Sequence, residues 1–339
     1  MKALSTGTRK LKDEIEASGD APALAAVAAL LEMGDRLSLL DRIVPGKEFT
    51  VQELAAHADL PQAGTAGYLA AMESAGIIEP TGSGAFVTAA DFERVRHQAG
   101  YLSWVMNANR PFIENAREYL CNPDKGSGAY LRDGRQVAVS SQWMGSMAFY
   151  PAALEVIAAS KPERIADLGS GTCRLLIEVL RKFPGCTGIG LDLDGPSCRA
   201  AEAAGEQAGV GDRLTVIERP IQSIATDPAP VADTDVIHAG FVFHDMMPEE
   251  EDVADAVLAN CRNALRPGGI MAITDAVPYL RNDRERRFSA IVTYYHQQFM
   301  RRKLLTESEW SDKLKAAGFR EVAIVELGFP TGRLFVASR

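Results

Sequence analysis

The second half of the sequence alternates between strand-like and helix-like segments, and this alternation restricts the fold more than any other feature. Apolar runs such as "RIADLG", "CTGIGLDLD" and "GGIMAITDAV" are separated by helix-like segments such as "RLLIEVLRKFP". Strands joined by helices in this way form a parallel sheet that is covered on both faces. The end, "EVAIVELGFPTGRLFVASR", has two strand-like runs around a turn, which predicts an antiparallel last strand. We therefore predict an α/β, Rossmann-like domain over residues 151–339.

Residues 1–121 are predicted to form a separate helical domain. The segment "FTVQELAAHADLPQAGTAGYLAAMESAGIIEPTGSGAFVTA" has the order helix, turn, helix, strand, turn, strand, which is typical of a winged helix. Such a domain binds DNA or mediates dimerisation. Its second helix, "AGTAGYLAAMESAG", has no Arg or Lys to contact phosphates. We therefore expect a dimerisation domain, followed by a linker and connecting helix over residues 122–150.

Composition limits the partners and the compartment. The chain of 339 residues has a formal net charge of −9 and no long Lys/Arg run, which argues against nucleic-acid binding. Its start does not resemble a secretory leader, and no apolar run reaches the ~20 residues of a membrane helix. Five cysteines form no C-x-x-C pair and are predicted to be reduced thiols. We expect a cytoplasmic homodimer without nucleic-acid or membrane partners.

The segment "DLGSGTCR" predicts a ligand-binding loop. Gly169 and Gly171 follow a strand, where the backbone must turn tightly and let a ligand approach without a Cβ. Arg174 occupies the third glycine position of the dinucleotide pattern, and Asp167 would repel a diphosphate. Asp167 suits a cationic amine instead, and Asp192, after the next strand, suits a ribose diol. The pair predicts S-adenosylmethionine rather than NAD, although each aspartate alone is equally typical of a helix cap or a turn.

Residues 150–339 resemble the class I S-adenosylmethionine-dependent methyltransferases. The segments "DLGSGTC", "GLDLD" and "LRPGGIMAITDAV" match the successive strand motifs of that family. The resemblance implies the family's sheet order and a cofactor site across the ends of the first strands. After "LTVIE" the family often has Gly-Asp near the adenine, whereas this chain has Arg219-Pro220. We include Arg219 in the predicted cofactor site.

The segment "FHDMMPEEE", together with the N-terminal domain, resembles the small-molecule O-methyltransferases, which dimerise through such a domain. In that family a "HDW" segment after the fourth strand supplies a histidine base. The match places His244 and Asp245 in this segment, with Met246 in place of the tryptophan. An imidazole with an ordinary pKa of ~6.5 can take a proton from an acidic hydroxyl near neutral pH. This resemblance implies O-methylation with His244 as the base.

The segments "YLRDG", "YYHQQF" and "LTESEW" extend the resemblance over nearly the whole chain to the 2-oxo acid C-methyltransferases, such as those acting on phenylpyruvate and 2-ketoarginine. In the phenylpyruvate enzyme two histidines hold a non-haem iron, and the matching residues are His244 and His296. A metal chelated by the keto oxygen and the carboxylate would stabilise an enolate. The resemblance implies metal-assisted methylation of the β-carbon (C3) of a 2-oxo acid, with iron as the expected metal.

These resemblances leave several roles open. Asp245 is predicted as the base, as a partner of an imidazole N–H or as a third ligand. Arg132 is predicted to pair with the substrate carboxylate, with a solvated linker arginine as the alternative. If His296 merely lines the pocket, the protein is a metal-free O-methyltransferase. His238, inside the strand before His244, is expected to be buried and hydrogen-bonded.

Overall fold

A computed structural model of the protein describes residues 21–339, which form two compact units. The first unit comprises residues 21–114 and 131–147, and the second comprises residues 115–130 and 148–339. The chain passes between the units after residues 114, 130 and 147. The segment 122–150, predicted as a linker and a connecting helix, is therefore divided between the two units and is largely helical.

The first unit is mainly helical. Its elements are α1 (Ala21–Arg36), α2 (Val51–Ala58), α3 (Gln62–Ser74), β1 (Ile78–Pro80), β2 (Phe86–Thr88), α4 (Phe92–Leu102), a π-helix (Ser103–Ala108), α5 (Arg110–Glu114) and most of α8 (Gly134–Ala148). Strands β1 and β2 pair antiparallel. The predicted order of two helices and two strands is present over residues 51–88, and its role in dimerisation stays a prediction.

Local sequence signals explain how these helices begin and how they pack. Helix α2 begins at a capping box, in which the Thr50 hydroxyl accepts a hydrogen bond from the Glu53 amide and the Glu53 carboxylate accepts one from the Thr50 amide. It ends at Asp59 in the left-handed conformation. Leu54 and Leu69 are fully buried, and they join the apolar face of α1 in the core of this unit.

The second unit is built on a seven-stranded sheet with the order β5-β4-β3-β6-β7-β9-β8. The strands are β3 (Arg164–Leu168), β4 (Thr187–Asp192), β5 (Leu214–Glu218), β6 (Thr234–Gly240), β7 (Leu265–Ala276), β8 (Glu321–Glu326) and β9 (Gly332–Ser338). Strands β3 to β7 pair in parallel, whereas β9 runs antiparallel to both of its neighbours. The predicted α/β sheet with an antiparallel C-terminal strand is confirmed.

The second unit also contains helices before, between and after these strands. They are α6 (Ala116–Cys121), α7 (Pro123–Ala129), α9 (Tyr150–Ser160), α10 (Arg174–Lys182), α11 (Gly195–Gln207), α12 (Glu251–Ala264), α13 (Arg286–Tyr294), a π-helix (Tyr295–Phe299) and α14 (Glu307–Ala316). In α10 the apolar side chains recur at helical spacing, and Leu176, Val179 and Leu180 are buried. None of the helices found in residues 21–339 is long and apolar enough to cross a membrane.

The strand order creates a crevice that locates the site. From β3 the chain continues outward to β4 and β5, and it then returns to the other side of β3 as β6. The carboxyl ends of β3 and β6 therefore flank a topological switch point, which is where open α/β sheets bind ligands.

Candidate active site

The glycine loop directly follows β3 and lies against the turn that follows β6. Gly169 has a φ of +70° and Gly171 a φ of +52°, which are left-handed conformations that favour glycine. A Cβ on Gly169 would lie 2.9 Å from a methyl carbon of Val242. The backbone amides of Gly169 and Ser170 both donate to the carbonyl of Leu191 at the end of β4. The loop is thus held between the ends of three strands.

Asp192 is joined to this loop. One oxygen of its carboxylate accepts a hydrogen bond from the Gly171 amide at 2.8 Å, and the other accepts one from the Asp194 amide at 2.9 Å. A carboxylate has about four lone-pair sites, so both oxygens retain capacity to accept hydrogen bonds from a diol. The structure therefore brings together the predicted loop and the predicted acid.

Asp167 lies near the carboxyl end of β3 and is 4% exposed. Its Oδ1 accepts a hydrogen bond from Nδ1 of His238 at 2.7 Å. His238 lies directly opposite Asp167 on β6 and is 6% exposed, so the prediction of a buried, hydrogen-bonded histidine is confirmed. The pairing of these two side chains was not predicted.

Arg219 lies beside Asp192, immediately after β5. Its backbone amide donates to the Asp192 carbonyl at 2.8 Å. Its guanidinium donates to Asp227 at 2.9 Å, and this hydrogen bond lowers the pKa of the Asp227 carboxyl. Arg219 is thus placed at the edge of the predicted cofactor site, with its side chain held in an exposed ion pair.

His244 lies in a short helical turn after β6 and is 8% exposed. Its Nδ1 donates to Oδ1 of Asp275 at 2.7 Å, which leaves the lone pair of the neutral ring on Nε2. Asp275 is 1% exposed and also accepts a hydrogen bond from the Ala276 amide. Burial lowers the pKa of His244, but the charge and the hydrogen bond of Asp275 outweigh it, so the pKa is raised above its ordinary value.

Asp275 was missed in the sequence, although a signal for it exists. It stands near the end of the strand-like run "GGIMAITDAV", which follows the His244 segment along the chain. Because β6 and β7 are parallel neighbours, an acid at the carboxyl end of β7 falls beside the residues that follow β6.

His296 lies in the π-helix that continues α13 and is 6% exposed. Its Nδ1 donates to the Val292 carbonyl at 2.7 Å. The ring centres of His244 and His296 are 4.9 Å apart and the rings are perpendicular. The structure therefore brings the two predicted histidines together, each with Nδ1 bonded to an oxygen. Single turns of π-helix are frequent at functional sites.

Asp245 and Arg302 place further charges beside this pair. Asp245 Oδ1 lies 3.7 Å from Nε2 of His244 and 3.5 Å from Nε of Arg302, and its side chain is 52% exposed. The backbone amide of Arg302 donates to the His296 carbonyl at 2.7 Å. Arg302 was not foreseen, because nothing in "FMRRK" distinguishes it from its neighbours before the chain folds back.

The two imidazoles could hold a metal ion through their Nε2 atoms, because each Nδ1 is already engaged, as is usual for ligating histidines. Within residues 21–339, no group of three or more His, Cys, Asp or Glu side chains is arranged to hold a metal. A site of this kind would therefore have two protein ligands and rely on substrate or water for the others.

Arg132 belongs to the first unit. Its guanidinium carbon lies 5.8 Å from the ring centre of Phe112 in the same unit, a cation–π contact. Its pairing with a substrate carboxylate stays a prediction.

Comparison with known sequences matches the central part of the second unit to a protein family. Residues 166–271 match the family described as "Methyltransferase domain". Aclacinomycin 10-hydroxylase RdmB of Streptomyces purpurascens is 28% identical over 169 residues, 50% of this chain and 43% of that protein. Methyltransferase ungE′ of Aspergillus campestris is 22% identical over 241 residues, 70% and 69% of the two chains. The 3-hydroxy-5-methyl-1-naphthoate 3-O-methyltransferase of Streptomyces sahachiroi is 26% identical over 202 residues, 58% and 56%.

Solved structures of methyltransferases share the whole fold. The S-adenosylmethionine-dependent methyltransferase SibL aligns with a TM-score of 0.57 at 18% identity, covering 93% of this chain and 96% of its own. Human N-acetylserotonin methyltransferase, solved with S-adenosylmethionine, aligns with a TM-score of 0.56 at 17% identity, covering 98% and 97%. The domain match over residues 166–271 and the aligned structures together show the class I methyltransferase fold in this chain.

Proposed function

We propose that the protein transfers a methyl group from S-adenosylmethionine to an acidic hydroxyl of a small molecule, with His244 as the general base. The observation that carries this proposal is the buried 2.7 Å hydrogen bond from His244 Nδ1 to Asp275. This bond selects the tautomer with the lone pair on Nε2 and stabilises the imidazolium that forms when Nε2 takes a proton. The 3-O-methyltransferase among the relatives supports hydroxyl groups as the acceptor class.

The residues at the switch point fit the cofactor by their chemistry. Asp167 offers a carboxylate to a cationic amine, Gly171 leaves open space beside the backbone, and Asp192 can accept from a ribose diol. Arg219 completes the proposed cofactor site at the end of β5. When bound, S-adenosylmethionine supplies an electrophilic methyl group on a sulfonium.

His244 performs the proton transfer in this scheme. Its Nε2 takes the proton of the acceptor hydroxyl, and the oxygen that loses the proton forms the new bond to the methyl carbon. The electron pair of the broken carbon–sulfur bond stays on sulfur, so the products are a methyl ether and S-adenosylhomocysteine. Asp275 keeps the ring oriented throughout, and such a positioned base contributes about 10²–10⁴-fold to the rate.

A second candidate is methylation of the β-carbon of a 2-oxo acid, with a metal ion held by His244 and His296. Iron is the metal proposed for this site. The observation that favours it is the hydrogen bond from His296 Nδ1 to the Val292 carbonyl, which leaves the lone pair of this ring on Nε2. The ring centres of His296 and His244 are 4.9 Å apart. A metal there would supply Lewis acidity toward a bound keto acid. Asp245 would then act as the base, as a partner of an imidazole N–H or as a third ligand, and Arg132 stays the residue predicted to pair with the substrate carboxylate.

Substitution of His296 separates the two candidates. In metal-free O-methylation, His296→Ala changes the KM of the acceptor but leaves kcat within about tenfold, since His244 and Asp275 remain. In the metal-assisted reaction, the same variant loses both bound metal and turnover. The measurement is release of S-adenosylhomocysteine with a panel of phenols and a panel of 2-oxo acids, together with metal content by elemental analysis.

A matched control removes a histidine elsewhere. His57→Ala takes away an imidazole of the first unit, whose described contact is a hydrogen bond from Arg42. It should leave metal content and turnover unchanged in either candidate. A wild-type protein that turns over neither phenols nor 2-oxo acids would contradict both.

We further propose that the protein works as a homodimer in the cytoplasm, on small molecules and without nucleic acid. The helix–turn–helix order over residues 51–88 supports a dimerisation role, because α3 carries no Lys or Arg. Light scattering should give twice the chain mass of 36.6 kDa. A monomer, or salt-sensitive binding to duplex DNA, would contradict it.

A further inference from the structure

Asp167 and His238 form a buried pair at the switch point, outside the His244 site. They are register partners on the adjacent parallel strands β3 and β6, so their side chains leave the same face of the sheet. Nδ1 of His238 donates to Oδ1 of Asp167 at 2.7 Å, with exposures of 6% and 4%. A carboxylate so poorly exposed requires a hydrogen-bond donor, and this imidazole supplies it.

The surroundings of Asp167 leave its charge uncompensated by a fixed cation. Tyr150 and Cys173 lie close enough for its carboxylate to contribute to their raised pKa values, after the larger effect of burial, so both stay neutral near pH 7. The guanidinium of Arg174 lies over the Tyr150 ring at 5.4 Å. Within residues 21–339, no arginine or lysine forms an ion pair with Asp167, and its Oδ2 accepts no hydrogen bond.

Space for the imidazole is provided by the end of β6. A Cβ on Gly240 would lie 3.3 Å from Cε1 of His238, which is closer than most Cβ contacts. The glycine therefore leaves room for the ring, and the hydrogen bond directs Nδ1 at Asp167.

We propose that His238 is a positioning residue for the cofactor: it fixes the Asp167 carboxylate by one oxygen and leaves Oδ2 to accept from the ammonium group of S-adenosylmethionine. An imidazole suits this task better than arginine, because its single Nδ1–H engages one carboxylate oxygen, whereas the guanidinium fork would occupy both. The proposal rests on the cofactor site described above and adds to it a residue from the strand that leads to His244.

Two isosteric polar variants test the role. His238→Asn keeps an N–H near the position of Nδ1, whereas His238→Gln places its amide near the position of Nε2 and removes the donor to Asp167. We expect the Kd of S-adenosylhomocysteine, measured by calorimetry, to rise about ten- to hundredfold in His238→Gln, the usual effect of losing a hydrogen bond to a charged group. His238→Asn should stay within about threefold of wild type.

Steady-state kinetics distinguish positioning from a general structural role. The KM for S-adenosylmethionine should rise in His238→Gln, while kcat and the KM of the methyl acceptor change little. Asp167→Asn should weaken binding by itself, and the double variant Asp167→Asn/His238→Gln should bind no more weakly than Asp167→Asn, because the two residues act as one unit.

The outcomes separate this proposal from the cofactor assignment. If the wild-type protein binds S-adenosylhomocysteine and His238→Gln binds it with the same Kd, the role of His238 is overturned and the cofactor site is left intact. An equal loss of affinity in His238→Asn and His238→Gln would have the same meaning. Additive losses in the double variant would overturn it as well. Absence of S-adenosylhomocysteine binding by the wild-type protein would overturn both.

Discussion

The imidazole of His244 is oriented by Asp275, a residue thirty-one positions further along the chain. The neighbouring Asp245, which the sequence placed in the role of base or partner, is half exposed and lies 3.7 Å from Nε2. At the scale of single residues, the structure therefore assigns to Asp275 the contact with Nδ1 that one of the sequence hypotheses gave to Asp245.

Replacement of Asp275 should impair the base in two measurable ways. Asp275→Asn removes the charge that raises the pKa of His244, so we expect kcat to fall by about 10² or more. Because the base must be unprotonated, kcat/KM rises with pH through the pKa of His244, and this limb should move to lower pH in the variant. Asp245→Asn is the control, with a smaller shift in the same direction. An unchanged pH profile in Asp275→Asn would contradict the role of Asp275 in raising the pKa of His244.

Gly169 is predicted to be less replaceable than Gly171. Both have a positive φ, but a Cβ would meet Val242 at 2.9 Å at Gly169 and nothing within 4 Å at Gly171. Gly169→Ala should lower the free energy of unfolding by about 1–3 kcal/mol more than Gly171→Ala does, because strain and a clash add. Urea denaturation measures both. Equal losses would mean that the loop moves away from the turn after β6.

At the scale of elements, the start of a helix is determined by residues close together in the sequence, whereas the pairing of strands is not. Helix α14 begins at a second capping box, between Thr306 and Glu309. Strand runs were likewise recognisable, because apolar segments of this length are typical of buried parallel strands. The π-helix Tyr295–Phe299 was predicted only as helix-like, because a shift of one hydrogen-bond register depends on packing around His296 rather than on residue type.

The capping hydrogen bond at the start of α14 should contribute about 1 kcal/mol to the free energy of unfolding. Thr306→Ala removes the hydroxyl that accepts from the Glu309 amide, and we expect a loss of about 0.5–2 kcal/mol in the free energy of unfolding. Ser311→Ala removes a hydroxyl bonded to the Glu307 carbonyl inside the same helix and should be neutral or stabilising. Denaturant titration compares the two variants. A larger loss in Ser311→Ala would contradict the cap assignment.

At the scale of the molecule, a buried ion pair ties the start of α13 to the C-terminal hairpin. The Arg333 guanidinium forms two hydrogen bonds with the Glu285 carboxylate, at 3.0 and 3.2 Å, and both side chains are almost fully buried. Burial alone would raise the pKa of Glu285, but hydrogen bonds from Arg333, Asn282 and the Thr331 amide lower it to about 2. The charged form therefore contributes to the stability of the fold.

This pair predicts a loss of stability in acid. Because the folded pKa of Glu285 is depressed, its contribution is complete above its ordinary pKa of 4.5 and is lost as pH falls toward about 2, by about 3 kcal/mol in all. Glu285→Gln should remove that part of the pH dependence and destabilise the protein by about 3 kcal/mol at pH 7, with Arg333 still paired to Glu307. Thermal unfolding at several pH values tests it, with the exposed Glu163→Gln as a control that should change little.

The sequence by itself determined the α/β sheet with its antiparallel last strand, the glycine loop, and the acid after β4, because each depends on residues close together along the chain. Only the tertiary structure decided which side chains meet across strands. Asp167 and His238 are 71 positions apart and His244 and Asp275 are 31 apart, and each contact joins neighbouring strands of the sheet or the turns that follow them. The division of the chain into units after residues 114, 130 and 147 was likewise not predicted, since residues 122–140 are rich in Pro, Gly and Asp, which is typical of a linker, whereas the structure has helices α7 and α8 there.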